Sequence, residues 1–187
     1  MAFIPRTELE KMGFKALGEN VNISEKASLY GVSRMEIGHN VRVDDFCVLS
    51  AGEGGIIIGN FIHIAVYASL IGAGRIALND FCNISSRVAI YSSNDDYSGE
   101  AMTNPMIPEE FTHVTKADVS IGRHGIIGSG SIILPGVTLG EGVAVGAMTL
   151  ITKDCEPFGI YVGTPAKRIK ERSRKMLDIE KVFIARQ

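Results

Sequence analysis

A chain of 187 residues with 45% hydrophobic content has the length and the apolar material for one domain with a real core. A net charge of −2 leaves no basic footprint for nucleic acid, and 21 glycines with no tryptophan point to many tight corners around a slim interior. No apolar run approaches the roughly 18 residues of a membrane span, and the opening MAFIPRTELEK lacks a signal peptide's apolar core, so a soluble, cytoplasmic protein is expected.

Residues 1–18 read as an N-terminal cap. Thr7 followed by Glu10 has the spacing of a capping box, and Gly13 stands where a helix would stop, so TELEKM is expected to form a short lid helix. From residue 19 to 157 the chain obeys a different rule. Aliphatic residues recur every six positions: Ile23 and Leu29; Ile37, Val43 and Leu49; Ile58, Ile64 and Leu70; Leu78, Ile84 and Ile90. The period is cleanest later, at Ile121, Ile127, Ile133, Leu139, Val145 and Ile151. A helix repeats every three or four residues and an ordinary strand every two, so this period signals a solenoid in which each hexad is a short strand plus a corner. Three hexads then complete one triangular coil.

The residue four places after each aliphatic is small or branched, as at Ser131, Val137, Val143, Thr149 and Cys155, which suits a second, tighter inward position. Cys47, Cys82 and Cys155 all fall there, so buried, inert thiols are expected rather than a nucleophile or a metal ligand. Glycine follows the aliphatic at 122, 128, 140 and 146, and the expectation is that it supplies corner φ values that a Cβ opposes. Between coils, GEGGI and GAGRI mark small insertions at corners. Residues 91–118 abandon the period altogether, and so long an excursion from a strict solenoid is where chemistry is expected. Residues 158–187 form a C-terminal extension: AKRIKERSRKMLDIEKVFIA has helical composition, with Ile169, Met176, Leu177, Ile179, Val182 and Phe183 as its apolar face, for packing on the prism or on a neighbouring subunit.

The hexad array, the long loop and the closing GTPAKRI together resemble the hexapeptide-repeat acyltransferases over nearly the whole chain. The resemblance implies a left-handed parallel β-helix, an all-β solenoid, and homotrimers that hold acyl-CoA in grooves between neighbouring prisms. Within that family, RVDDFCVLS, SSNDDYSGE and PEEFTHV are most similar to the N-acyltransferases of nucleotide-linked 4-amino-4,6-dideoxyhexoses, which serve surface polysaccharide and O-antigen biosynthesis. The related galactoside and maltose O-acetyltransferases carry a loop histidine as general base, where this chain reads Asn94-Asp95-Asp96.

That departure bears on the acceptor. A sugar hydroxyl needs a base, whose loss costs on the order of 10²–10⁴ in rate, whereas an amine needs positioning and somewhere for its proton to go. Asp95, helped by Glu100 or Asp96, is the expected holder of the amino group, with His63 as a further candidate. For the donor, acetyl-CoA, the resemblance implies a backbone N–H of Ser129 at the thioester carbonyl, a backbone contact at Ala147, and Lys153, Lys167 and Arg168 for the phosphates. The four histidines share no single hexad position, so no metal is expected. Two alternatives stand beside this reading: O-acetylation of a sugar hydroxyl with His113 or His63 as base, and a non-catalytic β-helix scaffold.

Overall fold

The computed structural model describes residues 2–187. Its strands stack into three sheets, parallel except for the last strand of the second, which form the faces of a triangular prism of about seven turns. The first face holds six strands, from Ala16–Leu17 to Thr138–Leu139; the second holds eight and ends in Gly159–Val162 and Lys167–Glu171; the third holds six, from Ser28–Tyr30 to Leu150–Ile151. Register follows the hexads. Ile37 pairs with Ile58, Ile58 with Leu78, Leu78 with Ile121 and Ile121 with Leu139.

The inward aliphatics form a single core, with Ile23, Ile64, Leu70, Ile84, Ile121, Ile127, Ile133 and Ile151 at 0% exposure. Each such side chain contributes about 1.5–3 kcal/mol relative to exposure. The tighter inward places hold Ser131, Val137, Val143, Thr149 and the three cysteines, all buried. Burial, foremost, pushes the thiols up to about 11, 12 and 11 at Cys47, Cys82 and Cys155. None of the three is expected to react with a thiol reagent in the native protein at neutral pH, and all three are expected to react after denaturation; a thiol titration with and without denaturant checks this.

The hexad glycines serve a purpose other than the expected one. The left-handed φ of each corner falls later, at residues such as Phe61 (56°), Phe81 (62°), His124 (59°) and Met148 (58°). Gly122, Gly128 and Gly140 are needed because the next coil stacks on them: a Cβ on Gly128 would lie 2.5 Å from the backbone nitrogen of Ala147, and one on Gly122 2.6 Å from that of Glu141. Close approach, not dihedral freedom, selects glycine there.

The ends depart from expectation in three ways. Helix α1 spans Arg6–Leu9 and runs into a 3-10 turn, Glu10–Met12, which stops at Gly13 with φ 78°. Pro5 is the N-cap, so Thr7 sits inside the first turn and no capping box forms; Glu10 instead accepts a hydrogen bond from Arg6 at 2.8 Å. Leu9, fully buried, makes this segment a lid. Secondly, paired strands run beyond the limits read from the period, to Ala16–Leu17 at one end and Gly159–Val162 at the other.

Thirdly, Lys167–Glu171 is not helical but pairs antiparallel with Gly159–Val162. That pairing covers an edge that the last parallel strand would otherwise leave open. Helix α2 starts at Lys175 and ends at Ile184. It docks on its own prism, with Phe183 edge-on to Phe61 at 5.2 Å between ring centroids, and with the Glu180 carboxylate 2.8 Å from Nε2 of His124. The Arg172 guanidinium fastens the strap by donating to the carbonyls of His124 (2.8 Å) and Gly142 (3.1 Å), from two successive coils. Among the described residues no helix is long and apolar enough to cross a membrane.

Candidate active site

Two corners of the prism carry the residues that the sequence singled out. At the corner between third and first faces the chain leaves the solenoid after Ala89–Tyr91, and returns at Val119–Ile121. A two-stranded neck closes the excursion, Ser93 pairing with Lys116 and Asn94 with Thr115. Ser92, buried beneath it, donates from Oγ to the Gly74 carbonyl at 2.6 Å and pins the neck to the coil above.

Asp95 leaves this neck exposed and lines a hollow of about 370 Å³ with Asn104, Ile107, Glu109, Thr112 and Lys116. Lys116, facing it, donates to Glu53 at 3.1 Å, and that hydrogen bond raises its pKa. Glu100 is exposed further along the loop. Asp96 is differently employed. Its carboxylate accepts from the Ser98 hydroxyl (2.7 Å) and from the N–H groups of Ser98 (2.9 Å), Gly99 (3.1 Å) and Ala101 (3.0 Å). These donors, the Ser98 hydroxyl first, bring its pKa down to about 2, so at neutral pH it shapes the loop and has no tendency to take a proton.

A pH dependence follows. The ordinary value is 3.8 and the folded value about 2, so between them the folded loop binds fewer protons than the unfolded chain. The contribution is complete above 3.8 and is lost as pH falls through about 2. Amide resonances of Ser98, Gly99 and Ala101 followed in an acid titration are expected to hold their positions down to pH 4 and to move together below pH 3; in Asp96→Ala the native positions are absent at every pH.

The other group lies at the corner between second and third faces. Here successive coils stack Asp45, Val66, Ser86, Ser129 and Ala147 in one column, linked through the residue that follows each: Tyr67 N–H donates to Asp45 O, Arg87 to Val66, Gly130 to Ser86 and Met148 to Ser129. Ser129 and Ala147 are exposed, and among the described residues their backbone N–H groups have no partner. His63, on the second face near this corner, places Nε2 2.9 Å from the Asp44 carboxylate, which also accepts from Arg42 at 2.7 Å. Burial works to raise the Asp44 pKa, but the hydrogen bonds from Arg42 and His63 outweigh it and hold the group below the ordinary carboxylate range.

Of the basic residues, Lys167 and Arg168 lie on the strand beside Gly159–Val162, below Ala147, and Arg168 pairs with Glu171. Lys153 follows the third-face strand Leu150–Ile151 and so belongs to the corner that carries the loop. A single chain therefore gathers His63, Ser129, Ala147, Lys167 and Arg168 toward one edge, and Asp95, Asp96, Glu100 and Lys153 at another. The remaining histidines are engaged or remote: His39 accepts from the Glu19 N–H at 3.0 Å, His124 supports α2, and His113 is exposed in the loop. Among the described residues no three His, Cys, Asp or Glu side chains converge as a metal site.

Comparison with known proteins gives this arrangement its context. No family model matches the chain. The dTDP-4-amino-4,6-dideoxy-D-glucose acyltransferase of Escherichia coli is 57% identical over 183 residues, which covers 98% of this chain and 95% of the relative. The chain belongs to the dTDP-4-amino-4,6-dideoxyglucose acyltransferase family.

The fold agrees throughout. AntD, an N-acyltransferase from Bacillus cereus in complex with dTDP and 3-hydroxybutyryl-CoA, superposes with a TM-score of 0.94 at 46% identity, covering 98% of this chain and 96% of AntD. A serine-to-alanine variant of AntD, in complex with dTDP-4-amino-4,6-dideoxyglucose and coenzyme A, gives 0.95 at 45% identity, covering 100% and 99%. Other AntD structures exchange an aspartate for asparagine or alanine. The family member described here is thus a left-handed parallel β-helix acyltransferase. Sequence reasoning passed over Ser86 of the column and its neighbour Ser85. Ser86 takes the hexad place after Ile84 that Ser129 takes after Ile127, and Ser85 precedes it; aligning hexads by position exposes both.

Proposed function

We propose that this protein transfers the acyl group of acetyl-CoA to the 4-amino group of a dTDP-linked 4-amino-4,6-dideoxyhexose, in the cytoplasm, for incorporation into surface polysaccharide. The observation that carries the reading is the pairing of an exposed loop carboxylate, Asp95, with an open backbone N–H at Ser129, on a chain 57% identical to an acyltransferase of that sugar nucleotide.

Asp95 accepts a hydrogen bond from the sugar ammonium or amine and turns its lone pair toward the thioester. The amine nitrogen attacks the carbonyl carbon; a C–N bond forms as the carbonyl pair moves onto oxygen, which the Ser129 N–H receives. Collapse breaks the C–S bond, and the CoA thiolate leaves with the proton that the nitrogen sheds. No covalent enzyme intermediate is needed, in keeping with three buried thiols. Glu100 assists on the acceptor side, and Asp96 acts by holding the loop that presents Asp95. Ala147, Lys167 and Arg168 extend the donor groove below Ser129. The aspartate and serine exchanged in AntD have counterparts by residue type in Asp95 and in Ser86 of the column or its neighbour Ser85.

Asp95 and Ser129 stand on different corners, and a prism face of six residues is about 20 Å long. Two copies side by side bring one copy's loop to the next copy's column, and three such contacts close a homotrimer. The substrates thus lie between prisms, and Lys153 joins the donor groove from the loop side.

Release of free CoA tests the reaction, with dTDP-4-amino-4,6-dideoxyglucose offered beside a plain galactoside. Turnover is expected on the amino sugar and is expected to be largely retained in a His63→Gln, His113→Ala double variant. Turnover confined to the galactoside, and abolished by those two substitutions, would establish O-acetylation with a histidine base instead.

A further inference from the structure

The corner column that holds Ser129 also carries a row of outward side chains. Each column residue is followed by one with left-handed φ: Phe46 (59°), Tyr67 (62°), Arg87 (59°), Gly130 (72°) and Met148 (58°). Phe46 and Tyr67 stack with centroids 5.1 Å apart, and the Arg87 guanidinium covers Tyr67 at 5.6 Å. At Gly130 the row is interrupted. Coils are spaced by about 4.8 Å, so the missing side chain leaves a notch roughly two spacings high between the Arg87 and Met148 layers.

The notch sets one N–H apart from the rest of the column. The column N–H groups of Val66, Ser86, Ser129 and Ala147 all lack partners among the described residues. A side chain stands directly after three of them, Tyr67, Arg87 and Met148; only Ser129 is followed by a residue without one. The notch is not empty space, however. The Met148 sulfur lies 2.5 Å from where a Cβ on Gly130 would fall, so the thioether leans across the opening, although the residue is 73% exposed.

A thioester carbonyl oxygen on the Ser129 N–H leaves its acyl tail one bond further on, at this notch. We propose that the Gly130 notch seats the tail of the donor's acyl group, and that Met148 sets how long a tail is accepted. An unbranched thioether suits that task, because it packs against an apolar chain and swings aside at little cost. The inference rests on the donor side of the function proposed above, the placement of the thioester at Ser129.

The test compares acetyl-CoA with butyryl-CoA in the native protein, in Met148→Ala and in Gly130→Ala, by kcat/KM with the amino sugar and by calorimetric binding of each thioester without acceptor. One methylene in an apolar pocket is worth about 10-fold to 200-fold in discrimination, and that sets the scale. Met148→Ala is expected to raise the butyryl-to-acetyl ratio about 10-fold, and Gly130→Ala, whose methyl group occupies the notch, to lower it by a similar factor. Ratios that stay within about 2-fold of native in both variants, while the thioesters still bind, would overturn the proposal and leave the acyltransfer reading intact. Thioesters that bind without any transfer to the amino sugar would instead remove the acceptor reading, and the calorimetric ratio would still decide the notch. Failure of both thioesters to bind the native protein would overturn both.

Discussion

Replacing Asp95 by alanine is expected to lower kcat/KM for the amino sugar by about 10²–10³, with thermal stability unchanged. The residue is exposed on the loop neck, so its removal opens no cavity in the core. What is lost is a carboxylate that lines the hollow shared with Asn104 and Thr112 and that, on the proposed function, meets the acceptor. An amine is nucleophilic once unprotonated, so in the proposed reaction Asp95 supplies orientation and a path for the proton, and its effect falls below that of a base which must ionise a hydroxyl. Asp95→Asn keeps a side chain able to hydrogen bond and removes the charge. It is expected to retain more activity than Asp95→Ala at high pH, where the amine is already unprotonated and hydroxide can take the proton shed on attack, and to converge with it near neutral pH. Parallel kcat/KM profiles against pH for the two variants check this, and equal activity of Asp95→Ala and native protein would remove Asp95 from the site.

The largest effect on stability is expected at Gly128. An alanine Cβ there would lie 2.5 Å from the Ala147 nitrogen, 2.7 Å from the Gly146 carbonyl carbon and 2.8 Å from the Val145 oxygen. All three atoms are backbone of the next coil, so a coil must shift and the hydrogen bond from Gly128 N–H to Val145 O must lengthen from 2.8 Å. Overpacking against backbone costs about 3 kcal/mol or more, which for a chain of this size lowers Tm by roughly 10 °C. Gly136 supplies the comparison. It has φ 82°, yet its added Cβ would meet only the Ala117 Cβ at 3.4 Å. Gly136→Ala is expected to cost about 1–2 kcal/mol, the strain of a left-handed alanine. If Gly136→Ala melted lower than Gly128→Ala, coil stacking would not be the larger of the two costs.

That contrast illustrates how far the sequence could be read. The six-residue period located the inward positions and the strand register, because a prism interior repeats once per hexad and any slip would put Ile127 or Ile133 into water. The same period misassigned the purpose of Gly128, since a clash between coils depends on atoms 18 residues away and leaves no local mark. Residues 167–171 were read as helix from composition, and an open sheet edge overrode that preference. At the site, Asp95 and Asp96 are neighbours of one type, and only the loop's hydrogen bonds separate the exposed carboxylate from the one consumed by Ser98, Gly99 and Ala101. Asp44 was silent in sequence because its partners, Arg42 and His63, belong to two coils.

On the proposed function, the acceptor carboxylate and the donor groove come from different copies of the chain. Mixing two disabled proteins tests this: Asp95→Ala, which lacks the carboxylate, and Ala147→Trp, whose exposed indole fills the groove below Ser129. Each alone is expected to be nearly inactive. After the two are unfolded and refolded together in equal amounts, about a quarter of the contacts pair an intact loop with an intact column, and about a quarter of native turnover is expected to return. Turnover no greater than the sum of the separate variants would contradict the account and put the whole site within one subunit.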